Sequence, residues 1–230
     1  MKNLNMMRLG SLIKKDILIA KNKISSLLFL YILFFAITFF SLREVKNLLT
    51  ISHGHFITLF LVLFLFHISY IIAIILFPQF IYKESMKEKH EIYFAYQFNV
   101  LEILTAKAII LCSLSLLPSY IMLFVMFYPL LVFSLSFIFC IFLAIPFMSL
   151  SFIAVNVLLT WFTKAGRIIS TALLLTFVFL LSQFTKIIKP SVNVSYWDIS
   201  FILLGIAIVL TTGITLISLV IKKEQCIIKD

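Results

Sequence analysis

Few residues in this 230-residue chain have the types and spacings that chemistry needs. His53 and His55 flank Gly54, a His-x-His spacing that can aim two imidazoles at one divalent cation. Two ligands leave a tetrahedral site half built, and solvated loop histidines are the competing reading. His67 stands alone in an apolar run, where a ring at membrane depth either hydrogen-bonds between helices or contacts a substrate or a haem. His90 lies among charges and reads as solvated, while Asn156 and Gln183, inside apolar runs, read as interhelical hydrogen-bonding groups. Cys112 and Cys140 sit in apolar runs and Cys226 in a charged tail, with no paired spacing for a disulfide framework or a zinc site. They read as reduced thiols, two of them small apolar fillers. There is no His-Glu-x-x-His, no Gly-x-Ser-x-Gly and no intramembrane aspartate pair. The five glycines (Gly10, Gly54, Gly166, Gly205, Gly213) are too scattered to build a loop that cradles phosphate. The expectation is a chain that is not an enzyme and holds no metal or cofactor of its own. Any ATP and Mg it depends on must be bound by another chain.

The elements that carry these residues are membrane spans. Hydrophobic residues make up 63% of the chain and charged residues 12%, against about 45–50% and 25% in soluble domains. Mean hydropathy is +1.18. A spanning helix needs about 20 apolar residues, because hydrocarbon offers its backbone no hydrogen-bond partner. Six runs meet this, near 24–42, 56–82, 104–128, 133–162, 168–185 and 199–221. The first is longer than a secretory signal core and no small-x-small cleavage site follows, so it reads as an uncleaved span. Pro129 marks a tight turn between the third and fourth runs, and Pro146 predicts a kink or break within the fourth. The fold class expected is all-α: one polytopic membrane domain over residues 1–230, with six transmembrane helices.

Charge placement orients the spans. The net charge is +10, yet the basic residues lie in short segments between apolar runs, a pattern of membrane topology rather than of nucleic-acid binding. With the N-terminus inside, Arg43, Lys46, Lys186 and Lys189 are the outside cations, and the other fifteen of the 19 Lys and Arg are cytoplasmic. This places both termini in the cytoplasm of a cell membrane, and the Ile-, Phe- and Lys-rich usage suggests a bacterial one. All nine acidic residues fall in connections or at span ends. Ion-coupled transporters and voltage sensors place such groups at membrane depth, so ion-driven transport is disfavoured, backbone-lined ion sites aside.

Two cytoplasmic elements stand out. In an expected helix over about residues 8–23 and the residue after it, Leu9, Ile13, Ile17, Ala20 and Ile24 follow one side, with Arg8, Ser11, Lys15 and Asn22 opposite. Such a helix lies in the interface with its basic side toward anionic headgroups. After the second run, a charged stretch (Lys83 to Glu91) leads to an aromatic segment, Ile92–Leu101, too short to span. It either rests on lipid or inserts anchors at i, i+3 and i+4 into the groove of a cytoplasmic partner.

At this connection the chain resembles the permease subunits of ATP-binding cassette transporters of the second type. The topology matches along the whole chain, and the sequence resemblance is confined to about Lys83–Lys107. Glu88 and Glu91 resemble the family's acidic turn, and Ile92–Val100 occupies the place of its coupling helix. Glu102, Ile103, Leu104 and Lys107 resemble the motif leading into the third span. The family often has a Gly after the acidic pair and a Pro later in the turn, where this chain has Lys89, His90 and Phe98-Asn99. The haem-exporter permease branch, of similar length and topology, fits as well. The resemblance implies an ATPase-coupling surface of Glu88, Glu91, Tyr93, Phe94, Tyr96, Phe98, Glu102 and Lys107. It implies two partners, a cytoplasmic ATP-binding cassette subunit and a second permease, identical or related. A path lined by Phe, Leu and Ile suggests an amphipathic, lipid-like or peptide cargo. The alternative is a non-transporting immunity or regulatory accessory protein that uses the same aromatic element to bind a partner.

Overall fold

The computed structural model describes residues 5–51, 54–77, 80, 98–128, 131, 133–162, 172 and 195–220. Among them the regular structure is entirely helical. Helix α1 (Met6–Asn22) is followed by α2 (Ile24–Ile51), α3 (Gly54–Phe77) and α4 (Val100–Phe127). A short α5 (Leu135–Phe139) runs through a π-helical turn, Cys140–Ala144, into α6 (Ile145–Phe162), and α7 (Tyr196–Val220) is the last. Four stretches are long and apolar enough to cross a membrane: Phe60–Phe77, Val100–Phe127, Leu135–Thr160 and Tyr196–Ser218. The count becomes five if α1 and the start of α2, bent by 73° to one another, are taken as one. Apart from residue 172, the expected fifth run, 168–185, lies outside the described residues, as does the turn at Pro129.

Local chemistry explains where these helices start. Asn5 caps α1 by accepting from the backbone N–H of Met7 at 3.0 Å and of Arg8 at 3.4 Å. Ser134 caps α5 through the N–H of Phe137 at 3.1 Å. At α7, Ser195 Oγ accepts from the N–H of Asp198 at 3.2 Å, and the Asp198 carboxylate accepts from the N–H of Ser195 at 3.1 Å. Helix α2 continues past the first run's expected end at 42 to Ile51, so Arg43, Glu44 and Lys46 are helical rather than in a loop. Hydropathy marks where a span ends, while these residues remain competent helix formers.

Helix α4 is the centre of the bundle and packs against α1, α3 and α6. Helices α3 and α4 are antiparallel: Phe60 and Phe64 near the start of one meet Phe127 at the end of the other, with centroids 5.8 and 5.0 Å apart. Phe66 and Tyr70 of α3 stack edge-on against Phe152 of α6 at 5.8 and 4.8 Å. Phe137 and Phe139 of α5 contact Tyr196 and Trp197 of α7 at 5.3 and 5.1 Å. Outward, Leu117, Ile121 and Val125 of α4 and Phe201, Ile202 and Val209 of α7 are exposed, a surface suited to lipid rather than water.

Among the described residues two prolines lie within spans, and both are accommodated in the same way. Pro118 has no N–H to donate to the carbonyl of Leu114, four residues earlier in α4. The hydroxyl of Tyr31, from α2, donates to that carbonyl at 2.8 Å. At Pro146 the expected kink takes the form of a π turn. Ile145 N–H donates to Cys140 O, five residues back, so the next donor in this pattern belongs to Pro146 and does not exist. The carbonyl left over is that of Ile141, and it accepts from the hydroxyl of Tyr120, on α4, at 2.8 Å. Pro146 O in turn accepts a weak bond from the Cys112 thiol at 3.8 Å. Without water, carbonyls freed in a span need such partners, and here neighbouring helices supply them.

Candidate functional site

The best-defined polar site among the described residues is the seam between α1 and the head of α4. Helix α4 starts at Val100, earlier than the expected 104, because Asn99 and Glu102 hold its first turn: Glu102 Oε2 accepts from the N–H of Asn99 at 2.8 Å. Val100 and Leu101 therefore belong to this helix and not to the aromatic segment before it. The other oxygen, Glu102 Oε1, accepts from the N–H of Asn5 at 3.0 Å. Asn5 is itself the cap of α1. One fully buried carboxylate thus sits at the N-terminal ends of two helices, where the helix dipoles favour negative charge.

Further along the seam, Lys107 Nζ donates to Asp16 Oδ1 at 2.8 Å. Asp16 is 1% exposed and Lys107 2%, so this ion pair is removed from solvent, with the half-exposed Lys15 ammonium 3.8 Å from the same oxygen. Leu9 and Leu12 are buried on the same edge of α1 as Asp16, in an i, i+3, i+7 pattern. This corrects the expected stripe. Ile13 and Ala20 do pack against the core, but Ile17 and Ile24 are exposed, at 53% and 59%. Helix α1 therefore has three sides: an edge of Leu9, Leu12 and Asp16 against α4, an exposed apolar edge with Met6 and Ile17, and a polar side with Ser11 and Lys14.

Of the residues expected to couple to an ATPase, Glu102 and Lys107 are thus brought together on α4, but facing α1 and buried rather than presented to solvent. Phe98 is half-buried and packs against the core. Glu88, Glu91, Tyr93, Phe94 and Tyr96 lie outside the described residues, as do His53, His90, Gln183 and Cys226. The residue missed is Asp16. Its signal was available, as the one acidic side chain in a basic helix, in line with Leu9 and Leu12.

A second polar group lies deeper, between α3 and α6. His67, Ser69 and Tyr70 of α3 and Ser149, Ser151 and Asn156 of α6 are all buried. Ser69 Oγ and Ser149 Oγ are 3.5 Å apart, and Asn156 lies alongside the Tyr70 hydroxyl. Three of these groups also bond within their own helix: Ser69 donates to Phe66 O at 2.8 Å, Ser151 to Phe147 O at 2.8 Å and Asn156 to Phe152 O at 2.8 Å. Among the described residues, no three His, Cys, Asp or Glu side chains converge as metal ligands would. No family model, curated protein or solved structure matches the chain, so its residues and their geometry are the whole basis for a functional reading.

Proposed function

We propose that this chain is the membrane-spanning subunit of an ATP-driven exporter, resembling the type-2 permeases of ATP-binding cassette transporters. It pairs with a second permease around a central path, and separate cytoplasmic ATPase chains bind the ATP and Mg. The observation that carries the reading is the seam between α1 and α4. Glu102 and Lys107 immediately follow the charged and aromatic connection, and both fasten α1 to the head of the central helix. A displacement applied to that connection is delivered to α1 and α4 together, and from α4 to α3 and α6. ATP binding on the partner chains shifts the spans between two arrangements in proportion to its different affinity for each. The chain itself makes and breaks no covalent bond. The apolar composition of the spans favours an amphipathic or lipid-like cargo, and the positive-inside count places both termini in the cytoplasm.

Purification in mild detergent with mass spectrometry of the retained proteins tests this reading. The expected result is a stoichiometric ATPase chain, with no nucleotide hydrolysis by this chain alone. Recovery of a regulatory or immunity partner with no ATPase supports the accessory-protein reading and rejects the exporter.

A further inference from the structure

Beside the π turn, a groove of about 640 Å³ runs between α4 and the α5–α6 span. Its walls include Cys112, Ser113 and Leu116 on one side and Phe142, Leu143 and Pro146 on the other, near the middle of both helices. The volume falls within the roughly 300–1,000 Å³ typical of ligand pockets. Three observations define what it takes.

First, its polar atoms are already engaged. The Cys112 thiol bonds Pro146 O, and Ser113 Oγ donates to Ile109 O at 2.8 Å. A polar occupant would find no free donor among them, only the remaining lone pairs of the Ser113 hydroxyl. Second, the groove is built into the backbone. The π turn and the proline widen the helix there, and the Tyr120 bond to Ile141 O holds the widened turn against α4. Third, Phe142 and Leu143, which line the groove, are themselves exposed, and they lie in a stretch long and apolar enough to cross a membrane. Its described lining contains no Gly or Ala, the residues that let a second helix backbone approach closely.

We propose that this groove holds one acyl chain of a bilayer phospholipid, seated between α4 and the π turn. The chain enters laterally from the membrane, and its methylenes pack against Leu116, Phe142 and Leu143. The site requires only that α4 and the α5–α6 span cross a bilayer, so it stands apart from the exporter reading.

The full chain is expressed in membranes containing a phosphatidylcholine with a diazirine midway along one acyl chain. It is then purified into detergent, which strips loosely associated lipid, and only afterwards illuminated. The expected result is about one retained phospholipid per chain by native mass spectrometry. Adducts should concentrate on peptides covering Ile109–Leu116 and Phe142–Leu150, at least fivefold above the exposed Leu117–Val125 face. Ser113→Trp fills the groove and should lower retention about tenfold, while Leu117→Trp, of equal bulk beside it, should not. Because the wild-type adduct map is informative by itself, a poorly folding variant does not remove the test. Adducts spread evenly over the outward faces, or none after detergent exchange, overturn the proposal. So does efficient disulfide cross-linking of two copies through Leu143→Cys, which would give the groove to a second chain.

Discussion

Removing the Tyr120 hydroxyl tests whether its bond to Ile141 O compensates for Pro146. In Tyr120→Phe the ring stays and only the donor is lost, from a bond of 2.8 Å, close to the ordinary O–H···O distance. A buried acceptor left without a donor costs about 1–3 kcal/mol, although hydrogen bonds between helices in membranes average nearer 0.6, with a maximum of about 1.7. The two ranges together predict a loss of about 1–1.5 kcal/mol, or about five- to thirteenfold in the unfolding constant. Because the carbonyl is free only where residue 146 lacks an N–H, Pro146→Ala supplies an in-helix donor. In that background Tyr120→Phe should cost less than about 0.5 kcal/mol, giving a coupling energy of about 1 kcal/mol. The measurement is reversible unfolding in bicelles for the four members of the cycle. Equal cost of Tyr120→Phe in both backgrounds, within about 0.3 kcal/mol, refutes the reasoning. Tyr31→Phe with Pro118→Ala repeats the test at the second proline, on Leu114 O.

Three further outcomes are expected. Lys107→Met and Asp16→Asn should each destabilise the α1–α4 seam by about 3–5 kcal/mol, because each removes the buried counter-charge at 2.8 Å from the group that stays, whereas Asp16→Leu with Lys107→Met should recover most of the loss. Limited proteolysis after Lys21 and unfolding in bicelles would show this, and a double variant as weak as the singles would contradict it. Phe94→Ala should release the ATPase while leaving the membrane level of the chain unchanged, whereas Phe98→Ala should lower that level, since Phe98 packs against the core; co-purification and membrane blots separate the two. Cysteines at Ser52 and Ser191 should react with an impermeant maleimide from outside and those at Ser85 and Thr163 should not; outside labelling at Ser85 would reverse the orientation.

Apolar run length carried most of the fold, because hydrocarbon leaves helix as the main economical backbone for a single segment. Helix ends were less legible, since hydropathy measures the span and not the helix. The start of α4 is an instance: Asn99-x-x-Glu102 is a readable capping pattern, but it lies outside the apolar run. Pro146 signalled a disturbance, but its form as a π turn depended on Tyr120, 26 positions earlier, which no local pattern connects to it. The candidate site divided similarly. Glu102 and Lys107 stood out by resemblance, which directed attention to a partner chain. Their contacts are instead with Asn5 and Asp16, 97 and 91 positions away, and only tertiary packing brings these together.

That separation has a consequence for biogenesis. Asp16 emerges from the ribosome 91 residues before Lys107. At about 5–20 residues per second, its carboxylate is without that counter-charge for about 5–18 s. During this interval α1 cannot occupy its final seat, because the helix that supplies both Lys107 and the Glu102 carboxylate has not been made. Helix α1 therefore keeps its Leu9, Leu12 and Asp16 edge uncovered by α4 over that interval. Helix α1 is made before α4, yet it can dock only once α4 exists, so the seam closes as a step that reports completion of the central helix.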